Sequence, residues 1–131
     1  GLFDLLVKTR FRANFILLGE IENVREILSN YSCFILSSLS EGFPNCLAEA
    51  MLEALPCIAS DVGDVATLLD PEYLYPPSDV TQLMQKLVGF YSLPDTMMLQ
   101  IGKNNRVYSE SILSSKNVRS SYEKLYEEVL K

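Results

Sequence analysis

The chain has 131 residues, of which 48% are hydrophobic and 21% are charged, and this composition is ordinary for a single soluble globular domain. Its net charge of −6 argues against nucleic acid as the main partner, because a phosphate backbone is bound by a clustered positive surface. The apolar runs fall far short of the roughly 20 residues that cross a bilayer, and the N-terminal residues do not resemble a signal peptide.

The first half of the chain alternates short apolar runs with helical patterns. The apolar runs are typical of strands that are buried on both faces. Pro44 suits the first turn of a helix because its φ angle is already fixed near the helical value. The predicted elements are a strand at residues 14–18, a helix within residues 22–31, a strand at residues 33–37 and a helix at residues 44–54.

The second half continues the same alternation and then becomes helical. We expect Ser78 to cap a helix, and we expect Gly102 to weaken the helix that contains it. The predicted elements are a strand at residues 56–60, one or two helical turns at 64–69, a strand within 72–77, a helix from Ser78 to Phe90, a helix from Pro94 or Asp95 to Ser109, and a C-terminal helix within 112–131. The C-terminal helix is predicted to be capped by Ser114 or Ser115. Its apolar stripe is Val118, Tyr122, Leu125, Tyr126 and Val129.

Strands that alternate with helices predict an α/β fold, in which a Rossmann-like parallel sheet is flanked by helices. We interpret residues 1–131 as one such domain. Residues 1–13 contain no convincing first strand, so the sheet is predicted to begin part-way through. This feature indicates a fragment of a larger fold.

The cysteines bear on metal binding and on cellular location. Cys33, Cys46 and Cys57 lack a C-x-x-C spacing, and the chain contains no histidine, which argues against a zinc site. We expect three buried side chains with free thiols in a cytoplasmic protein.

Two loops leave the predicted carboxyl ends of strands, where open parallel sheets bind their ligands. The first, "SSLSEGFPN", leads into the helix that begins at Pro44, and the second is "SDVGD". Free amides and the helix dipole favour an anion at such a helix start, and Gly42 permits close approach. We therefore expect a phosphate to be bound by the backbone N–H groups of Asn45, Cys46 and Leu47.

Glu41 and Glu49 flank this predicted anion site. Ionised carboxylates only accept hydrogen bonds, and neighbouring sugar hydroxyls are natural partners for them. One carboxylate for each sugar would suit a sugar–diphosphate–ribose ligand. The alternative is that Glu49 and Glu53 are solvated helix surface and Glu41 is an ordinary loop charge.

The segment "EGFPNCLAEAM", followed by "LPCIASDVGD", resembles the E-x7-E region of retaining glycosyltransferases with the GT-B fold, especially glycosyltransferase family 4. The resemblance runs from about residue 14 to residue 131 and implies the C-terminal, nucleotide-sugar-binding half of such an enzyme. It implies metal-independent transfer without a cofactor, and a UDP- or GDP-linked donor.

The resemblance also implies roles for single residues. Glu41 would be the catalytic residue and would bind the donor sugar together with the Gly42 and Phe43 backbone. Glu49 would accept hydrogen bonds from the ribose hydroxyls. The residues that would line the diphosphate are Pro44, Asn45, Cys46 and Leu47.

The chain departs from the family pattern in three respects. The Arg and Lys that usually neutralise the diphosphate match nothing here, the acceptor-binding domain is missing, and Asp64 stands where a second Gly is common. We therefore expect the isolated chain to bind a donor weakly and to be inactive. The full enzyme is expected to be cytoplasmic, with possible peripheral association at the membrane face.

Three other functions stay open. A non-catalytic module that binds a nucleotide or a partner would have the same fold. A phosphoacceptor domain would need a cluster of acids at the end of its first strand, and Asp61, Asp64 and Lys86 fit this pattern poorly. A sugar-nucleotide epimerase would bring further catalytic acids and histidine.

Overall fold

The computed structural model describes residues 12–129. A 3₁₀ turn at Arg12–Asn14 precedes the regular elements, and a second at Pro71–Tyr73 precedes the last strand. The elements are α1 Val24–Leu28, β1 Phe34–Leu36, α2 Asn45–Leu52, β2 Cys57–Ser60, α3 Val65–Leu68, β3 Leu74–Tyr75, α4 Val80–Tyr91, α5 Asp95–Leu113 and α6 Ser115–Val129.

The three strands form a parallel sheet in the order β1-β2-β3. Phe34 lies beside Cys57 in the first pair, and Ala59 lies beside Leu74 in the second. Each crossover between neighbouring strands passes through a helix, α2 for the first pair and α3 for the second. The predicted α/β fold with a parallel sheet is confirmed.

The predicted strand at residues 14–18 is wrong. Phe15, Ile16, Leu17 and Leu18 follow the 3₁₀ turn without regular structure, and their exposed fractions lie between 48% and 78%. Within residues 12–129 no strand lies beside this run, and an unpaired strand leaves its backbone polar groups without partners. The first eleven residues, and the expectation that they hold no strand, lie outside the described residues.

Two predicted helix ends are also wrong. The cap of α4 is Asp79, whose carboxylate accepts from the Gln82 N–H at 2.9 Å, whereas Ser78 adopts a positive φ of 67° before it. A side-chain acceptor at the residue before the helix satisfies one of its free amides. Helix α5 does not stop at Ser109 but continues to Leu113. The other predicted helices and strands are present, with ends shifted by up to three residues.

The core lies on both sides of the sheet. One cluster is centred on helix α2 and contains the fully buried Leu47, Met51 and Cys57. The other packs Ile58 and Tyr75 against Phe90 of α4. Helices α2 and α4 therefore cover opposite faces of the central strand β2, which explains why all four of its residues are buried.

We expected Gly102 to weaken its helix, but the close packing of α5 against the end of α2 requires a glycine at this position. A Cβ at this position would collide with the carbonyl oxygen of Ala54, directly after α2. Ala54 has a φ of 58°, and the N–H groups of Ala54 and Leu55 donate to Met51 and Ala50. This is the Schellman arrangement, which satisfies carbonyls at a helix end.

Helix α6 carries the predicted apolar stripe. Its described members Tyr122, Leu125 and Tyr126 are 53–65% exposed. In residues 12–129, no helix is both long and apolar enough to cross a membrane.

Candidate functional site at the carboxyl ends of β1 and β2

The two predicted loops meet at one edge of the sheet. The Ser60 hydroxyl at the end of β2 donates to the Ser38 carbonyl at 2.7 Å, and the Asp64 N–H donates to the Gly42 carbonyl at 3.3 Å. Gly63 has a φ of 54°, and a Cβ there would collide with the Glu41 carbonyl oxygen. The glycine in the second loop therefore makes room for the first loop.

Glu41 is half-buried in this junction. Its Oε1 accepts a hydrogen bond from the Ser38 hydroxyl at 2.6 Å, and Oε2 has no hydrogen-bond partner among the described residues. The neighbouring Phe43 is 44% exposed, whereas Pro44 is buried. Glu41 thus presents one free carboxylate oxygen at the edge of the sheet.

The start of α2 offers fewer free amides than the sequence suggests. The N–H groups of Asn45 and Leu47, two of the three predicted phosphate donors, bind the carbonyls of Phe43 and Pro44 at 3.0 and 3.1 Å. The N–H of Cys46 binds no backbone carbonyl in the described part of the chain. Cys46 is therefore the one predicted donor whose amide is uncommitted to the backbone.

The Cys46 side chain is exposed at this helix start, so the prediction that all three cysteines are buried is wrong for it. Burial of the sulfur and the charge of Glu41 raise the pKa of the Cys46 thiol. The thiol is therefore protonated near neutral pH and adds no negative charge. Burial raises the pKa of the half-buried Cys33 to about 11 and also raises that of the buried Cys57.

Glu49 lies on α2 one turn beyond Cys46 and is half-buried. Its carboxylate makes no hydrogen bond or ion pair with any residue that the structure describes. Glu53 differs, because it pairs with Arg25 of α1 at 2.6 Å and is only 23% exposed. The alternative that both are solvated surface is therefore wrong for Glu53, which joins α1 to α2.

A basic residue in the acidic middle of the chain makes its hydrogen bond away from the site. Lys86 is the only Lys or Arg between residues 31 and 102, and its ammonium group donates to the Glu72 carbonyl at 2.6 Å. Asp61 and Asp64 lie in the second loop and are exposed. No group of three potential metal ligands occurs among residues 12–129.

Two cavities lie away from these loops. One, of about 400 Å³, lies between α3 and α5 and includes Asp70 and Tyr108 in its lining. The other, of about 830 Å³, lies at the amino ends of the strands, beside Cys33 and Pro56. Neither is lined by Glu41, Cys46 or Glu49. The two loops stay the candidate site because of their chemistry and their place at the carboxyl ends of the strands, where parallel α/β sheets bind ligands.

Sequence reasoning missed three residues that shape the site, namely Ser38, Ser60 and Gly63. The sequence pattern could have identified Ser60, since it is a polar residue that ends the otherwise apolar strand β2. The partner of Ser38 could not be read from the sequence, because a loop without regular structure has no periodicity.

A parallel sheet flanked by helices, with acidic and glycine-bearing loops at its carboxyl edge, defines a domain of the Rossmann-like α/β class. Residues 4–92, more than half of the chain, match the family described as Glycosyl transferases group 1. The chain belongs to this family of glycosyltransferases.

Two of its relatives come from bacteria. The chain is 28% identical over 117 residues to N-acetyl-alpha-D-glucosaminyl L-malate synthase of Bacillus anthracis, covering 87% of this chain and 30% of that protein. It is 36% identical over 63 residues to lipopolysaccharide 1,6-galactosyltransferase of Escherichia coli, covering 45% of this chain and 18% of that protein. The chain thus spans less than a third of either relative.

Solved structures confirm the fold. Sucrose-phosphate synthase from Thermosynechococcus elongatus superposes with a TM-score of 0.85 at 22% identity, covering 98% of this chain and 33% of that one. The GtfA/B complex superposes with a TM-score of 0.73 at 25% identity, covering 97% and 27%. The fold is therefore that of a GT-B glycosyltransferase domain, as the sequence resemblance predicted.

Proposed function

We propose that this chain is the donor-binding domain of a glycosyltransferase and binds a nucleotide-diphospho-sugar at the edge formed by the two loops. The observation that carries the proposal is the pair of carboxylates, Glu41 and Glu49, which flank in the sequence the one predicted donor, Cys46, whose amide binds no backbone carbonyl among the described residues. Both carboxylates retain accepting capacity; Glu41 lies in the loop before α2, and Glu49 lies one turn into the helix.

The diphosphate would lie against the first turn of α2. The Cys46 N–H and the positive end of the helix dipole would attract its oxygens, and Gly42 would allow close approach. The neutral Cys46 thiol would not repel the ligand. One free amide is a weak anion site, so the remaining neutralising charge would come from cationic side chains outside the described residues.

The two sugars would lie on opposite sides of this anion site. Glu49 would accept hydrogen bonds from the ribose hydroxyls, and Oε2 of Glu41 would accept from the transferred sugar. Phe43 would cover the sugar from the solvent side of the loop. We propose a UDP- or GDP-linked donor, because the resemblance to family 4 enzymes favours those bases.

The chemistry would be transfer of a hexosyl group with retention, without a metal, through an oxocarbenium-like transition state. Glu41 is the catalytic candidate because its carboxylate would lie against the reacting sugar. Donors at the helix start would stabilise the departing diphosphate, and such stabilisation of developing charge commonly supplies a large part of the rate.

An acceptor domain would complete the enzyme. These two relatives are more than three times as long as the part that this chain covers, and their names mention L-malate and lipopolysaccharide. We propose that the isolated chain binds donor weakly and transfers nothing. The exposed Leu125 and Tyr126 on α6 would face the acceptor domain, in an enzyme at the cytoplasmic side of a membrane that builds glycans.

The test is a two-dimensional amide NMR titration of the chain with UDP, GDP, dTDP and ADP. We expect saturable shifts that are centred on residues 41–49 for one nucleotide. The Glu49→Ala variant should lose affinity for it by about tenfold or more, because hydrogen bonds to a charged group contribute about 1.5–3 kcal/mol.

Glu110→Ala is the matched control. Glu110 is also a helical glutamate, but it lies on α5 and pairs with Arg106 at the surface. This variant should bind like the wild type. Shifts that spread over the whole chain, or that are absent at millimolar concentrations of all four nucleotides, would contradict a nucleotide site in this domain and favour a module that binds a protein partner.

A further inference from the structure

We propose that Ser38 and Ser60 are positioning residues that hold the Glu41 carboxylate ready for the donor sugar. The inference rests on the proposed function and goes beyond it, because it assigns to two serines the orientation of the carboxylate. Neither serine is part of the E-x7-E pattern. The basis is a continuous series of hydrogen bonds from strand β2 to the carboxylate.

The series begins in the core. Ser60 is 1% exposed, and its hydroxyl donates to the Ser38 carbonyl at 2.7 Å, which joins the end of β2 to the first loop. The Ser38 hydroxyl then donates to Oε1 of Glu41 at 2.6 Å. This distance is typical of a charge-assisted O–H···O⁻ bond, which is stronger than a bond between neutral groups.

The backbone of Glu41 is confined from the other side. Gly63 lies so close to the Glu41 carbonyl that no larger residue fits without a shift of the loop. The backbone is therefore fixed by β2 and its loop, and the carboxylate is fixed by Ser38. Ordering a free glutamate side chain costs up to about 2 kcal/mol of rotamer entropy. Because the fold already orders the Glu41 side chain, most of this cost would not be incurred when a sugar binds.

This geometry assigns a different use to each carboxylate oxygen. Oε1 is occupied by Ser38, while Oε2 is free among the described residues and can accept from a sugar hydroxyl. Loss of the Ser38 hydroxyl would leave Glu41 charged and present but would release its orientation. Binding of the sugar part would then weaken, and binding of the nucleoside diphosphate part would not.

The experiment compares Ser38→Ala with Ser38→Thr, which restores a hydroxyl, and with Ser37→Ala as a control, since Ser37 is an exposed serine of the same loop. The dissociation constants of UDP and UDP-glucose, and of GDP and GDP-mannose, are measured by amide NMR for each variant. Ser38 is partly exposed, so these variants are expected to fold.

For the base that binds, we expect the ratio of the nucleotide-sugar Kd to the nucleoside-diphosphate Kd to rise about 3- to 10-fold in Ser38→Ala. Ser38→Thr should restore the ratio, and Ser37→Ala should not change it. A purely structural role would weaken both ligands equally and leave the ratio unchanged.

The other outcomes separate the two proposals. Saturable binding by the wild type with an unchanged ratio in Ser38→Ala would overturn the positioning role and leave the proposed function in place. If no nucleotide or nucleotide sugar binds the wild type, the proposed function fails, and the positioning role fails with it.

Discussion

The two ends of helix α2 are built in opposite ways. At its carboxyl end the Schellman turn satisfies the helix carbonyls, Gly102 of α5 packs on Ala54, and the Asn105 amide donates to the Leu55 carbonyl at 2.9 Å. At its amino end no side chain caps the helix, and the Cys46 amide binds no backbone carbonyl among the described residues. One turn further along, the Glu49 carboxylate has no hydrogen-bond partner among them.

Within this helix of eight residues, one end stabilises the fold and the other end is the one we propose for ligand binding. Polar groups at the carboxyl end are buried and bonded, so they stabilise the fold. At the amino end the Asn45 and Leu47 amides are bonded, but the Cys46 amide binds no backbone carbonyl among the described residues and could bind a ligand. Substitutions at the first end should therefore change stability, and those at the second end should change binding.

The largest expected effect is at Gly102. Gly102→Ala should lower the free energy of unfolding by about 3 kcal/mol, because the new Cβ collides with the Ala54 carbonyl oxygen and forces α5 away from α2. Urea unfolding measures the change. Gly89→Ala is the matched control, since Gly89 lies in helix α4 with open space around it, and it should raise stability by about 0.5–1 kcal/mol. Equal effects at both glycines would contradict the close contact.

The next effect is at Asn105. Asn105→Ala should lower the free energy of unfolding by about 2 kcal/mol, because the buried Leu55 carbonyl loses its side-chain donor. The neighbouring Asn104 is exposed, and Asn104→Ala should change stability by no more than about 0.5 kcal/mol. Nucleotide affinity should be the same in both variants. A loss of affinity without a loss of stability in Asn105→Ala would show that the carboxyl end of α2 takes part in binding.

A smaller effect of opposite sign is expected at Ala54. Its positive φ is strained for a residue with a Cβ, so Ala54→Gly should raise the free energy of unfolding by about 0.5 kcal/mol despite the flexibility of glycine. Ala66→Gly, in helix α3, should instead lower it by about 1 kcal/mol. Thermal and urea unfolding both measure the difference, and the same sign for both variants would contradict the strained turn.

At the amino end of α2 we expect Cys46 to differ from the other two cysteines in its rate of alkylation. Iodoacetamide should modify Cys46 before Cys33 and Cys57, which are half-buried and buried. Because the pKa of the Cys46 thiol is raised, its rate should rise at higher pH than that of a free cysteine, whose pKa is about 8.5. Mass spectrometry gives the order of modification, and a nucleotide that fits should slow the reaction. Faster reaction at Cys33 would mean that the first turn of α2 is less open than described.

Most of the fold could be predicted from the sequence because its signals are local. Apolar runs and helical spacings gave β1, β2 and the helices in the right order. The strand at residues 14–18 was wrongly predicted because a strand also requires a neighbour, and pairing is not a local property. Gly102 was misread for the same reason, since the residue that it contacts lies 48 positions away, at Ala54.

The position of the candidate site in the fold could be predicted from the sequence, but most of its hydrogen bonds could not. The two loops could be placed together because parallel strands end at the same edge of a sheet. The local bonds that occupy the Asn45 and Leu47 amides, and the hydroxyl that holds Glu41, depend on loop geometry without a sequence period. The roles of Glu41 and Glu49 in donor binding stay predictions.

We propose that the amino end of α2 is kept free for a nucleotide. The most direct test measures the free energy of unfolding of the wild type and of Glu49→Ala, with and without the nucleotide at about ten times its Kd for the wild type. Without nucleotide, the variant should differ by less than about 0.5 kcal/mol. With nucleotide, the wild type should gain about 1.4 kcal/mol, and a variant with tenfold weaker affinity should gain only about 0.4 kcal/mol. Equal gains, or a large loss of stability in the variant without nucleotide, would contradict the claim.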